Sequence, residues 1–174
     1  MGTFTKEESN PDEPIIPVTA KARVKIKSDG TVDKLKIRIC LRGDKQAELV
    51  DWDRWCPIAG FRELKLFLSF AARFLCRIFQ LDFIGAFLQA QARNRVFTIL
   101  PKEWAEEFPD LAEWFGVPLR LLKSLYGQTD ASKNWDGDLS DWLINVFGFE
   151  RCPGAGSIYL PQTTSLYIFT KYCG

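Results

Sequence analysis

Apolar and polar residues alternate most cleanly between Lys34 and Arg42. Leu35, Ile37, Ile39 and Leu41 fall on one side of a strand, and Lys34, Lys36, Arg38, Cys40 and Arg42 on the other. Residues 22–27 read as a preceding strand and Ser28-Asp29-Gly30 as a turn. The pair predicts a β-hairpin with one apolar and one basic face. A solvated polar face is the ordinary reading of such a strand; a phosphate-facing surface is the other. The period then changes. Over residues 61–77, Leu64, Phe67, Leu68, Ala71, Phe74 and Leu75 form a helical apolar face, with Arg62, Lys65, Ser69 and Arg73 opposite. Trp135, Leu139, Trp142, Leu143 and Val146 predict a second amphipathic helix, begun by Thr129 or Asp130 and stopped at Gly148.

Shorter apolar runs supply the remaining strands. Residues 78–83 read as a strand presenting Asp82 at its end, residues 96–99 as a neighbour, and residues 119–125 as a strand leading into the loop Tyr126-Gly127-Gln128-Thr129. Residues 157–160 and 165–169 predict two more around Pro161. Residues 104–115 read as an acidic helix on the surface. Residues 1–19, with Glu7, Glu8, Asp12, Glu13 and three prolines, read as a flexible acidic lead-in, leaving 20–174 as the folded domain. The order β-β-α-β-β-α-β-α-β-β does not alternate regularly. It predicts an α+β fold with a mostly antiparallel sheet and helices packed on one face.

Composition narrows the chemistry. The 174 residues hold 47% hydrophobic and 26% charged residues, with 14 Phe and 6 Trp, enough for a packed core. A net charge of +1 does not point to any partner. The absence of His excludes Ser-His-Asp hydrolysis, Cys-His proteolysis and His-ligated zinc from these residues. The five cysteines form no C-x-x-C pair, which argues against zinc ribbons and redox motifs and for the thiols of a reduced compartment. The first residues lack the basic-then-apolar order of a signal peptide, and charges interrupt the most apolar stretch, so no membrane partner is expected. The expected location is intracellular, in the cytoplasm or the nucleus.

Asp82 is the first chemical candidate. A carboxylate in the apolar stretch Phe79-Gln80-Leu81-Asp82-Phe83 is costly without a partner, and beside a Gly-Ala step it suits a hard cation; a structural aspartate bonded to a loop amide is the plainer alternative. Tyr126-Gly127-Gln128 is a glycine turn through which a ligand can approach the backbone, although many strand-to-helix turns look the same. Neither the P-loop nor the G-x-G-x-x-G fingerprint occurs.

Four blocks, in order, resemble the reverse transcriptase of copia-type retrotransposons. They are the segment 36–46, ending Arg42-Gly43-Asp44-Lys45-Gln46; Pro57-Ile58 before the long helix; the segment 80–88, Gln80-Leu81-Asp82-Phe83-Ile84-Gly85-Ala86-Phe87-Leu88; and the segment 123–135, beginning Lys123-Ser124-Leu125-Tyr126-Gly127. Gly148-Phe149 and Ser157-Ile158-Tyr159 also fall where the family has similar residues. The resemblance implies a fingers hairpin and a partial polymerase palm. It makes Asp82 the first catalytic, metal-binding carboxylate, for Mg²⁺ or Mn²⁺. Phe87 lies under the incoming sugar, with Phe83 beside it in the same block; Arg38 and Lys36 face the triphosphate, and Tyr126 and Gly127 line the nucleotide and template pocket. The implied reaction is metal-dependent, RNA-directed nucleotidyl transfer. RNA template, DNA primer, deoxynucleotides and the rest of the retroelement polyprotein, housed in a virus-like particle, would be its partners. The family also needs a Tyr-x-Asp-Asp turn, and no Asp-Asp dipeptide occurs here. The chain is therefore expected to be a fingers-and-partial-palm fragment, inactive alone. A non-catalytic nucleic-acid-binding module and a decayed relic are the alternatives.

Overall fold

A computed structural model of the chain describes residues 2–49, 53–78 and 82–161, and the backbone of a strand at Phe169–Thr170. Among the described residues there are eight strands: β1 (Phe4–Lys6), β2 (Val18–Ile26), β3 (Val32–Leu41), β4 (Phe97–Ile99), β5 (Pro118–Leu121), β6 (Phe149–Arg151), β7 (Ile158–Pro161) and β8 (Phe169–Thr170). The α-helices are α1 (Gly43–Leu49), α2 (Phe61–Arg73), α3 (Ala86–Gln89) and α4 (Ala131–Phe147). All the strand pairings between these elements are antiparallel, and the fold is α+β as the sequence predicts. No helix among the described residues is long and apolar enough to cross a membrane.

The chain divides into two compact units, residues 1–54 with 86–134, and residues 55–85 with 135–174. The first holds a three-stranded sheet, β1-β5-β4, and the β2-β3 hairpin. Its core gathers Ile16, Leu41, Val96, Leu121 and Leu125, with Phe4, Val18, Ile39 and Ala92 packed around them. Ile16 is fully buried and its amide donates to the Phe97 carbonyl at 2.8 Å. The segment expected to be a flexible lead-in thus supplies both a sheet strand and a core side chain. Its acidic residues are engaged as well: Glu7 pairs with Arg95 at 2.7 Å and with Arg120 at 3.0 Å, and Glu13 pairs with Arg95. Of its apolar residues, Phe4, Ile16 and Val18 pack into a core that other segments build, and composition alone carries no signal of that.

The second unit holds α2, residues 135–147 of α4, and the β6-β7-β8 sheet. Its polar centre is the half-buried Arg151, whose guanidinium donates to the buried Asp136 carboxylate at 3.1 Å, to the Tyr159 hydroxyl at 2.8 Å and to the Ser140 hydroxyl. On α4, Trp135, Leu139 and Leu143 are buried, whereas Trp142 and Val146 are exposed. The helix ends at Gly148, whose φ of +66° suits a glycine stop. Only Ala71 of α2 is buried.

Other expectations change. The acidic helix expected over 104–115 is two 3₁₀ turns, Lys102–Ala105 and Pro109–Trp114. Pro109 lacks the N–H that a continuous helix would need there, so it starts a new turn. Strand β5 ends at Leu121, earlier than expected. Residues 79–81 and 162–168 lie outside the described residues, and with them half of the strand expected over 78–83 and all but Phe169 of the one expected over 165–169. Asp82 and Phe83 themselves are not in a strand.

Candidate nucleotide-facing site

The hairpin carries the first part of the site. Its register pairs Lys21 with Arg38, Arg23 with Lys36 and Lys25 with Lys34, so six cations share one face in three like-charged cross-strand pairs. Opposed like charges weaken a sheet, so this face is not arranged for the hairpin's own stability. The other face pairs Ala22 with Ile37 and Val24 with Leu35. At the tip, Asp29 accepts from the Thr31 hydroxyl at 2.6 Å and the Thr31 amide at 2.9 Å, which holds its carboxyl below the usual carboxylate range.

The hairpin base is docked on the loop between β5 and α4. The Leu41 amide donates to the Tyr126 carbonyl at 2.7 Å. Gly127 has φ +82°, and a side chain there would run into the Leu41 carbonyl; one at Gly43 would run into the Gly127 carbonyl. Two glycines thus let two backbones approach to a separation that any Cβ would forbid. Arg42 pairs with Asp44 at 2.6 Å at the start of α1, and this contact keeps the Asp44 carboxyl low and the guanidinium charged.

This docking brings together side chains far apart in sequence. The Arg38 guanidinium lies over the Tyr126 ring, 5.3 Å from its centroid. Phe87, on α3, meets the same ring edge-on at 5.5 Å. Arg38, Tyr126, Gly127 and Phe87 therefore form one cluster in the first unit. Lys36 stands on the same strand face as Arg38, two residues away. Asp82 and Phe83 belong to the second unit, where the Phe83 ring packs edge-on against Trp135 at 5.1 Å.

Asp82 is solvent-exposed. The burial cost that made it a metal candidate does not apply to an exposed carboxylate. Among the described residues, no group of three or more Cys, Asp or Glu side chains converges in a way that could hold a metal ion. The described residues therefore do not complete a two-metal site around Asp82.

The sequence reading missed the buried polar cluster beneath the loop. Gln46 is fully buried on α1; its Oε1 accepts from the Thr129 amide at 2.8 Å and its Nε2 donates to Asp130 Oδ1 at 3.1 Å. Asp130 Oδ2 accepts from Asn94 Nδ2 at 3.0 Å and Asn134 Nδ2 at 3.3 Å, and Asn134 Nδ2 also faces Ser124 Oγ at 3.0 Å. A lone Gln in a basic stretch gives no periodic signal, and α1 itself was not foreseen. The one available hint was the position of Gln46 at the end of the Arg42-Gly43-x-x-Gln46 block.

The family model described as "Reverse transcriptase (RNA-dependent DNA polymerase)" matches residues 8–170. The Retrovirus-related Pol polyprotein from transposon RE2 of Arabidopsis thaliana is 27% identical over 140 residues, 79% of this chain and 9% of the relative. The corresponding polyprotein from transposon RE1 of the same plant is 26% identical over 139 residues, and that from transposon TNT 1-94 of Nicotiana tabacum is 27% identical over 122 residues. The chain spans only 9% of the length of each of these relatives. No solved structure matches it significantly. With the family model running across nearly all of the sequence, and the residues of its motif blocks at positions 38, 87, 126 and 127 meeting in space, the chain belongs to the reverse transcriptase (RNA-dependent DNA polymerase) family, in the form carried by copia-type retrotransposons.

Proposed function

We propose that the first unit is the nucleotide- and template-facing part of an RNA-directed DNA polymerase. The cluster of Arg38, Tyr126 and Phe87 carries this reading, because three segments converge on one aromatic ring with a guanidinium above it. Arg38 would neutralise the polyphosphate of a deoxynucleotide and Phe87 would limit the space beside its sugar. Tyr126 would hold both side chains in place. Gly127, whose missing side chain makes room for the Leu41 carbonyl, would line the pocket by seating the Tyr126 loop against the hairpin base. Asp82 would supply one carboxylate to a divalent cation, Mg²⁺ or Mn²⁺, and such an ion would neutralise charge in the displacement. The template, primer and remaining polyprotein are the partners this role requires, inside the cell where an RNA template is available.

Direct binding tests the reading. Deoxythymidine triphosphate in the presence of Mg²⁺ should bind the chain, and Arg38→Ala should weaken it by about tenfold, the loss of one charge-assisted contact. Asp82→Ala should remove the Mg²⁺ dependence. Absence of nucleotide binding at low salt would overturn the proposal.

The exposed basic face of the hairpin favours a second reading, a nucleic-acid-binding module without chemistry. It shares the salt-dependent binding of an RNA–DNA duplex, but under it Asp82→Ala changes nothing.

A further inference from the structure

Gln46 is a glutamine with no exposure, joining segments that lie 84 residues apart in the chain. A buried amide is costly unless each of its groups is paired, and here both ends are used. Its oxygen takes the Thr129 amide, in the loop that follows Gly127, and its nitrogen takes Asp130, the residue before α4. An apolar side chain of equal volume would fill the space and fix neither group. The same loop presses Gly127 against Leu41 and accepts the Leu41 amide at Tyr126. Arg38 stands three residues before Leu41 on β3, about 10 Å along the strand. Any slip of the loop against the hairpin base therefore moves the Tyr126 ring relative to the Arg38 guanidinium.

We propose that Gln46 is a positioning residue. By clasping Thr129 and Asp130 it sets the register between the Tyr126–Gly127 loop and the hairpin base, and so seats Arg38 over Tyr126 for the polyphosphate of a deoxynucleotide. The functional half of this proposal rests on the reading of the site given above; the positioning half stands on geometry alone.

A charge-and-amide exchange tests both halves. Gln46→Met keeps the volume and removes the clasp. Gln46→Glu sets a second carboxylate against Asp130. Combining Gln46→Glu with Asp130→Asn restores every donor to an acceptor: the new carboxylate takes the Thr129 amide and the new amide nitrogen, while the new amide oxygen takes Asn94 and Asn134. Two quantities are read in the full chain: exchange protection of the Leu41 amide and the affinity for deoxythymidine triphosphate with Mg²⁺. Protection of the Leu121 amide, bonded to the Val96 carbonyl in the same unit, reports general stability. Both single variants should lose about tenfold in Leu41 protection beyond any change at Leu121, and about tenfold in affinity; the double variant should recover both to within about threefold.

Equal losses at Leu41 and Leu121 with unchanged affinity would make Gln46 an ordinary core residue and overturn the proposal. Leu41 protection lost with affinity unchanged would overturn the link to Arg38. Failure of the wild-type chain to bind the nucleotide, with Leu41 protection still following the exchange, would sustain the positioning and sink the site reading.

Discussion

The base and the tip of the β2-β3 hairpin share one alternation and meet opposite fates. Leu41, at the base, is 3% exposed; Ile37 and Leu35, on the same face of the same strand, are each 61% exposed. The difference lies in what covers them. Leu41 packs with Ile16, Val96, Leu121 and Leu125 and is held by the Tyr126 loop, whereas the outer half of the hairpin extends past that core. Period-two alternation decides which residues share a face. Whether that face is buried depends on other segments, which must come from elsewhere in the fold.

Truncation at the two ends of the strand gives the largest expected contrast. Leu41→Ala should destabilise the first unit by about 2–5 kcal/mol, as deletion of a buried leucine does. Leu35→Ala should change it by no more than about 0.5 kcal/mol, because most of its surface already faces water. Urea unfolding of both variants measures the difference. Equal costs would mean that the tip is covered in solution and would end the comparison.

Glycine substitutions sharpen it. Gly30 at the tip and Gly127 beneath the base have nearly the same φ, +83° and +82°. Nothing lies within reach of a side chain at Gly30, whereas one at Gly127 meets the Leu41 carbonyl. Gly30→Ala should cost about 1–2 kcal/mol for the left-handed conformation alone. Gly127→Ala should cost more and should also raise the exchange rate of the Leu41 amide, which Gly30→Ala leaves unchanged. If the two substitutions cost the same, the loop can shift away and the docking is loose.

This contrast also explains which parts of the structure could be read from the sequence. The hairpin, α2, α4 and the glycine stop at Gly148 follow from local periodicity and turn chemistry, although β2 begins at Val18, four residues earlier than expected, and α2 ends at Arg73, four residues short. The meeting of Arg38, Tyr126 and Phe87 was legible only through the resemblance of their blocks to a family, since no local rule relates positions so far apart. Three features escaped. The lead-in was read as flexible because its few apolar residues show no period, although Ile16 enters a core built by other segments. The Gln46–Asp130 cluster escaped because a buried amide is recognised by its partners, and those come from residues 94, 129, 130 and 134. Asp82 was judged by the apolar letters around it as a buried carboxylate, whereas it is exposed.

The smallest expected effect concerns the lead-in, and it separates ion pairing from packing. Arg120 and then Arg95, by hydrogen bonding, hold the Glu7 carboxyl below its ordinary value of 4.5, and Arg95 does the same for Glu13. A carboxyl whose pKa is lowered by folding stabilises the fold above its unfolded pKa, and that contribution is lost as pH falls through the folded value. The attachment of β1 should therefore be constant from neutral pH down to about 4.5 and loosen below it. Exchange of the Leu122 amide, which donates to the Thr3 carbonyl at 2.9 Å, reads this directly. These carboxyls are only partly buried, so added salt should imitate part of the acid effect. Arg95→Gln should shrink the acid response, and adding Arg120→Gln should leave only the part carried by Glu113, whose carboxyl is held low by Lys6 of β1 at 2.8 Å, while Ile16 keeps the following segment in the core. A response left undiminished by both substitutions, but removed by Glu113→Gln, would assign the acid sensitivity to the Lys6–Glu113 pair and take Glu7 and Glu13 out of the attachment of β1.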